Sequence, residues 1–534
     1  ARQAGLQLNA KDIFRHQTIA ELDIHIDPVS ATVREPVRGP APLTPIQRWF
    51  VESGTTDVNH YTMTTLVELP ADTDENALSQ ALNTVVAHHD ALRMRFTHTG
   101  QTWRQDTATA EPADLLWRCD DPDLDQAAIQ AQTSLNITDG PLLRAILCTG
   151  EHPRLLITAH HLVIDGVSWR ILLDDLQTAY QQIHTGQPAH LEPERSGFKD
   201  WAQTLTEQVE AGRFNDDLSY WARTSDAATA LPVDRTGRNT AGSVRTIQAR
   251  LDRDTTNALL REIPAVYRTQ INDVLLSALG RVLTQWTGNN RVLIGMEGHG
   301  REDITNDLDL TRTIGWFTTE YPLTLALPTD TDWGQTLKSV KEQLRAIPHH
   351  GLSYGALRHL SPPQTPAAAL RNDPTPQITF NYHGHWHNGT PEGPFHIHHT
   401  DIGHDTATDT IRDSLIDIIG IIHDGELTLN WAYSTNHHNH TTINRLATHT
   451  ITALHEIITH CTQPDTGGHT PSDYPLTTLD QTTLDQINPN IDDIYPLTPL
   501  QAGMVFHSLL DANSDTYLDQ ICMRISGVSN PRAL

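Results

Sequence analysis

Apolar positions recur along this chain with two periods, and the alternation between them sets the class of fold. In "DENALSQALNTVVAHHDALRMRF", Leu78, Leu82, Val85 and Val86 recur at helical spacing, after which Leu92, Met94 and Phe96 alternate as a strand does. "QINDVLLSALGRVLTQWTG" sets Val274, Leu275, Ala278, Leu279, Val282, Leu283 and Trp286 on one helical stripe, closes at Gly288 and runs into the strand-like "RVLIGM". "IDIIGIIHDGELTLNWAYS" reads as a hairpin turning at Asp424-Gly425, with Leu427, Leu429, Trp431 and Tyr433 on one face. "LLITAHHLVIDGVSWRILLDDLQTAYQQI" passes from a β-prone segment through a tight loop at Asp165-Gly166 into a helix whose Trp169, Leu172, Leu173, Leu176 and Tyr180 share a face. Asp165 or Ser168 is placed to cap that helix. The pattern predicts a mixed α/β fold in two lobes, joined near residues 215–235 where "SDAATALPVDRTGRNTAGS" reads as a connection.

The ends of the chain read differently. "GLQLNAKDIFRHQTIAELDIHI" has short amphipathic helical spacing at Ile13, Phe14, Ile19 and Leu22, and "DPVSATVREPVRGPAP" is a linker by composition. The phrase Pro-Leu-Thr-Pro-[Ile/Leu]-Gln occurs at Pro42–Gln47 and again at Pro496–Gln501. A repeat so widely spaced points to one large unit over roughly residues 40–480, with the start of a successor behind it.

Composition removes several functions. Sixty-five acidic residues against 37 basic ones give a net charge of −28, and no Lys/Arg-rich run offers the footprint that nucleic acid or an anionic membrane surface needs. Apolar stretches such as "LIDIIGII" are far too short to span a bilayer, and "ARQAGLQLNA" has no signal-peptide core, so a cytoplasmic location is expected. Cys119, Cys148, Cys461 and Cys522 are widely scattered, as reduced thiols would be. Phosphate-loop, dinucleotide-fingerprint and serine-elbow motifs are all absent from the sequence.

Two constellations carry candidate chemistry. At the strand–loop–helix junction "TAHHLVIDGVSW", an imidazole at the strand end is placed to act as a general base; a purely structural role for the histidine pair is the alternative. A metal held by His160, His161 and Asp165 fails on geometry, because adjacent strand residues point to opposite faces. "GMEGHGRED", Gly295–Asp303, surrounds Glu297 with glycines that let backbone approach a ligand closely. A partly desolvated carboxylate there would have a raised pKa and could trade protons; the alternative is a solvated glycine turn. The histidine tracts "NYHGHWHNGT", "FHIHHT" and "NHHNH" sit among Gly, Asn, Thr and Pro without regular ligand spacing and are expected to be exposed loops.

Taken together the motifs resemble the epimerization domains of nonribosomal peptide synthetases, relatives of condensation domains. "PIQRWF", "HHLVIDGVSW", "DVLLSALG", "EGHGRE", "RTIGWFTTEYP", "PHHGLSYG" and "FNYHG" follow one another in that family's order from Pro45 to Gly384. The resemblance implies two chloramphenicol-acetyltransferase-like lobes forming a V, with an active-site tunnel between them. It divides the chain into the end of a peptidyl carrier domain (1–25), a linker (26–40), an N-terminal lobe (41–220), a C-terminal lobe (221–480), and a linker with the start of a following condensation domain (481–534). The implied reaction is L-to-D inversion at Cα of an aminoacyl or peptidyl thioester on the 4'-phosphopantetheine arm of the upstream carrier, with adenylation and condensation domains of the same assembly line as partners. No cofactor is then bound by the domain itself.

By the same resemblance His161 and Glu297, from different lobes, are the proton-transferring groups. The remaining family positions are supporting: His160, Gly166, Ser168, Trp169 and Asn381, with Asp165 as a structural anion paired to Arg312. Backbone N–H groups after Asp165 and the Tyr382 hydroxyl are candidates to stabilise an enolate. Ser353 stands where the family has glycine, and His383 and His385 depart from "FNY[aliphatic]G[Gln/Arg]". A condensation domain forming a peptide bond, or a non-catalytic carrier-docking lobe, are the competing readings.

Overall fold

The computed structural model describes residues 39–510, except 56, 101, 111–113, 120–122, 151, 225–229, 306–307, 328–331, 386–394, 399–401, 465 and 488–490, together with 6–7, 27–28 and 521–526. The amphipathic helix expected around Ile13–Leu22 lies outside these residues; Leu6–Gln7 and Asp27–Pro28 pair as two short antiparallel strands.

The first lobe contributes β1 (Thr62–Glu68), β2 (Met94–Thr99), β3 (Thr102–Thr107), β4 (Leu116–Cys119), β5 (Leu143–Cys148) and β6 (Arg154–His160). Leu92, expected to begin a strand, lies in a 3-10 turn over Asp90–Arg93, and β2 begins at Met94. The second lobe contributes β7 (Val244–Leu251), β8 (Arg291–Gly298), β9 (Thr319–Ala326), β10 (Ile378–His385), β11 (His396–His398), β12 (Ile416–His423) and β13 (Glu426–Ser434). Six of these form one sheet in the order β9-β8-β10-β12-β13-β7. The β12–β13 hairpin turns at Asp424-Gly425, both with positive φ, as a two-residue turn matched to strand twist requires. Leu427, Leu429, Trp431 and Tyr433 all face the second core. The helix Ile271–Thr287 covers that face and ends at Gly288, whose left-handed conformation closes it.

The first sheet has the order β11-β1-β6-β5-β4, so its edge strand β11 comes from the later part of the chain, with His396 opposite Glu68 and Ile397 opposite Val67. The tract "FHIHHT" is therefore an edge strand where it is described, not a loop. In "NHHNH", His438 is fully buried just ahead of the helix His440–Cys461. Of "NYHGHWHNGT", Asn381–His385 belong to β10 and the rest lies outside the described residues.

Two large hydrophobic cores result, beside a small third cluster around Leu66, Ala127, Ala128, Ala131, Ile146 and Leu156, and the chain crosses between the two large ones. The first is built on Trp169, Leu172 and Leu176 of the helix Gly166–His184, packed against Leu78, Leu82 and Val85 of the helix Glu75–His88. It also contains Ile304, Ile314, Trp316, Phe317, Leu352 and Leu370, which follow β8 in sequence. The second core lies between the six-stranded sheet and the helices Ile271–Thr287, Trp333–Arg345 and His440–Cys461. Each copy of the repeated Pro-Leu-Thr-Pro phrase starts a helix in the same way: the backbone N–H of Thr44 donates to Gln47 Oε1 at 3.0 Å, and that of Thr498 to Gln501 Oε1 at 2.9 Å. The first helix, Pro45–Glu52, buries Ile46 and Phe50, whereas the second, Pro499–Leu510, leaves Leu500, Phe506, Leu509 and Leu510 exposed.

Candidate active site

β6 ends at His160, and the chain breaks into a single 3-10 turn, so the two histidines leave the strand in different surroundings. His160 is fully buried: its Nε2–H donates to Val58 O at 2.9 Å, and its Nδ1 accepts from the Leu162 N–H at 3.1 Å. Burial pushes its pKa down to about 3, so it is a neutral structural ring. His161 is only partly buried. Its Nδ1–H donates to Ile164 O at 2.8 Å, which fixes the tautomer and leaves Nε2 as the proton-accepting atom. Burial holds this imidazole below its ordinary value as well, hence neutral at neutral pH. Tyr61 stacks on it at 5.2 Å and Trp316 lies 4.5 Å away, centroid to centroid.

Asp165 caps the following helix by accepting from the Ser168 N–H at 2.7 Å. Its other oxygen accepts from the Phe317 N–H at 3.0 Å, and the Arg301 guanidinium donates to the carboxylate at 3.2 Å. Arg301 also donates to Ser168 Oγ and to Thr313 O, while Ser168 Oγ donates to Gly315 O at 2.8 Å. Arg301 thus joins the end of the glycine-rich segment to the "HHLVIDG" junction and to the "RTIGWF" loop, where its guanidinium lies 3.9 Å over the Phe317 ring. Trp169 is buried in the first core, and a Cβ added to Gly166 would meet only open space.

Glu297 projects from β8 beside Asn381 of β10, whose side-chain amide donates to Glu297 Oε2 at 2.6 Å. The Glu297 side chain is solvent-accessible where it opens onto the cavity between the lobes, with protein around it on the remaining sides. Burial foremost and Asp417 next raise its pKa to about 7, against the lowering effect of the Asn381 hydrogen bond.

The cavity, about 860 Å³, lies between the lobes. Trp49, Tyr61 and Trp316 form one wall, and Glu297, Glu320 and Asn381 part of the other. His161 sits one ring-layer behind Tyr61 and Trp316 rather than on the cavity surface itself. Among the described residues, no group of three or more His, Cys, Asp or Glu is arranged to hold a metal ion, and no helix is long and apolar enough to cross a membrane.

The family model described as "Condensation domain" matches residues 37–474. The chain belongs to the condensation-domain family. Two of the linear gramicidin synthase proteins of Brevibacillus parabrevis are 41% and 40% identical to it, each over 556 residues. Each alignment covers 99% of this chain but only 11% and 7% of those proteins, so the chain spans about a tenth of the length of these relatives. Among solved structures, the epimerization domain from the third module of tyrocidine synthetase B superposes with TM-score 0.74 at 34% identity, covering 80% of this chain and 97% of that one. The X-domain from teicoplanin biosynthesis superposes with TM-score 0.64 at 20% identity over 81% of this chain and 97% of its own, a likeness of fold. The chloramphenicol-acetyltransferase-like α/β architecture of condensation-type domains is therefore the fold of this chain.

Within that condensation-family frame two expectations are corrected. Asp165 pairs with Arg301, while Arg312 bonds Asp174 at 2.6 Å and also Asp175. Asp175 in turn holds buried His89, which bonds Glu194 on its other side. Tyr382 is not a cavity residue: it follows Asn381 on β10, and strand alternation turns it to the opposite face, against the second core. Sequence reasoning missed Tyr61, which lies outside the motifs, and Glu320, which stands directly opposite Glu297 in the β8–β9 ladder. A single charged residue in the otherwise uncharged "GWFTTEYP" was the available signal for the second.

Proposed function

We propose that this domain inverts Cα of an aminoacyl or peptidyl thioester presented on a carrier domain's phosphopantetheine arm, with His161 and Glu297 as the two proton-transferring groups. What carries the reading is that a carboxylate whose pKa is raised to about 7 lines the inter-lobe cavity, while a neutral imidazole of fixed tautomer lies one ring-layer behind the Tyr61 and Trp316 wall. The 34% identity to an epimerization domain supports it.

A thioester acidifies the Cα proton, and inversion requires its removal from one face and the delivery of another proton to the opposite face. Nε2 of His161 takes the proton as a general base; the C–H electron pair moves onto the thioester as an enolate, and protonated Glu297 returns a proton to Cα. The reverse direction uses the same two groups with their proton exchanged, so both directions draw on one total proton count. Asn381 steadies Glu297 from the side. For Nε2 to reach Cα, the Tyr61 or Trp316 ring must turn aside as the arm enters. Burial of the arm between the lobes would exclude water from the enolate.

The test loads an L-aminoacyl or peptidyl group on a matched carrier in D2O and follows deuterium at Cα together with chirality. Wild-type protein should exchange and invert, and His161→Ala or Glu297→Gln should reduce inversion by about 10²-fold or more. Unchanged inversion in both variants would refute the assignment. Peptide-bond formation when an acceptor aminoacyl carrier is added, without inversion, would instead favour a condensing role.

A further inference from the structure

Glu297 and Glu320 occupy directly opposed positions on antiparallel β8 and β9. Side chains so placed stand on one face of the sheet with Cβ atoms about 5 Å apart, and both of these line the cavity. We propose, resting on the epimerase reading, that Glu320 is a positioning residue: the like charges of the two carboxyls make them take up one proton as a pair, which keeps Glu297 able to act as an acid.

The charged and polar groups around the dyad leave protonation as the way to relieve its repulsion. From β10, Asn381 donates to Glu297, which favours the ionised form of that group. From β12, Asp417 adds negative charge, although Thr379, Arg412 and Ser414 all bond it. Asp413 adds a further carboxyl from the segment before β12, and burial raises its pKa. Tyr61 faces both glutamates from the first lobe; burial first and then Glu320 and Glu297 raise its pKa, so it stays a neutral phenol. Among the described residues Arg358 is the cation felt at Glu320, but it donates to Tyr354 Oη at 2.6 Å. Among the described residues none hydrogen-bonds the Glu320 carboxyl. Burial first, then Glu297, Asp413 and Asp417, raise its pKa, as expected for like charges sharing a site.

The proton balance closes. With one proton on the dyad and His161 neutral, His161 takes the Cα proton and the dyad proton leaves through Glu297 to the other face of Cα. The dyad is then doubly ionised and the imidazole protonated; proton return through solvent restores the start. In the opposite direction the same states are crossed backwards: the doubly ionised dyad accepts the Cα proton through Glu297 while the imidazolium donates, which leaves one proton on the dyad and a neutral imidazole. Nothing is oxidised or reduced.

The experiment has a readout independent of turnover. Whole protein carrying 13C at glutamate side-chain carboxyls is titrated by NMR as wild type, Glu320→Gln and Glu297→Gln. The dyad requires the Glu297 carboxyl to titrate at lower pH in Glu320→Gln, and Glu320 to do the same in Glu297→Gln; an unmoved Glu297 titration overturns it. In parallel, Cα deuterium exchange is followed against pH. Because Glu297 must be protonated to donate, Glu320→Gln should bring the alkaline limb down by about one pH unit, a roughly tenfold loss on that side with the acid side retained. Glu320→Asp should restore the limb. A uniform loss at every pH would mark a merely structural role and overturn the proposal. If wild-type protein exchanges no deuterium at any pH, the epimerase reading fails, while the carboxyl titration still decides whether the dyad exists.

Discussion

His160 and His161 show how much one backbone turn separates two identical side chains. His160, held neutral with its pKa near 3, is an acid-sensitive structural group. Its folded value lies below the unfolded one, so the stability it confers is complete above about pH 6.5 and declines as pH falls toward 3, by about 1.4 kcal/mol per pH unit. Urea unfolding of wild type and His160→Phe at pH 7 and pH 5 checks this; the variant should lose that part of the slope. Ser353 offers a second measurement. It is buried, and its Oγ accepts from Trp221 Nε1 at 2.9 Å, which accounts for a serine where glycine was expected. Ser353→Gly should destabilise by about 1–3 kcal/mol by orphaning that indole, read from the unfolding midpoint. The positions of His161 and Glu297 were legible because each sits at a strand end beside a turn signal. The partner of Asp165 was not, since ion pairing depends on the three-dimensional path of residues 301–312. Tyr382 was misplaced by treating "FNY" as one unit when period-two alternation already sends Asn381 and Tyr382 to opposite faces.

At the level of elements, the legible parts were those with a strong period: the helix Ile271–Thr287 with its glycine stop, and the β12–β13 hairpin. Strand β11 was not legible, because three residues carry no periodicity, and its partner β1 lies over 300 residues earlier. Ile397→Pro should remove ladder bonding there and raise amide exchange in Leu66–Glu68 while leaving the six-stranded sheet protected, a pattern readable by hydrogen–deuterium exchange. The "RTIGWF" loop is tighter. A Cβ at Gly315 would lie 2.1 Å from the Phe198 ring, so Gly315→Ala should destabilise by about 1–3 kcal/mol and displace Phe198.

For the whole molecule, Arg301 and the 304–317 segment make two cores answer to one another. Arg301→Met strands the buried Asp165 charge and should lower stability by about 3–5 kcal/mol, with Trp201 and Trp221 reporting on the first core and Trp431 on the second. The two probes should shift together; a shift confined to one would show the cores to be independent. The crossing of residues 304–370 into the earlier core was not readable from the sequence, since an apolar residue does not announce which core it joins. The crossing also bears on birth at the ribosome. The first lobe cannot seal its interior when its own strands have emerged, for Trp316, Leu370 and Phe395 are still to be made. At ordinary elongation rates the nascent lobe waits roughly ten to thirty seconds with an open apolar face, a window in which chaperone binding, codon choice and translational pausing decide its yield.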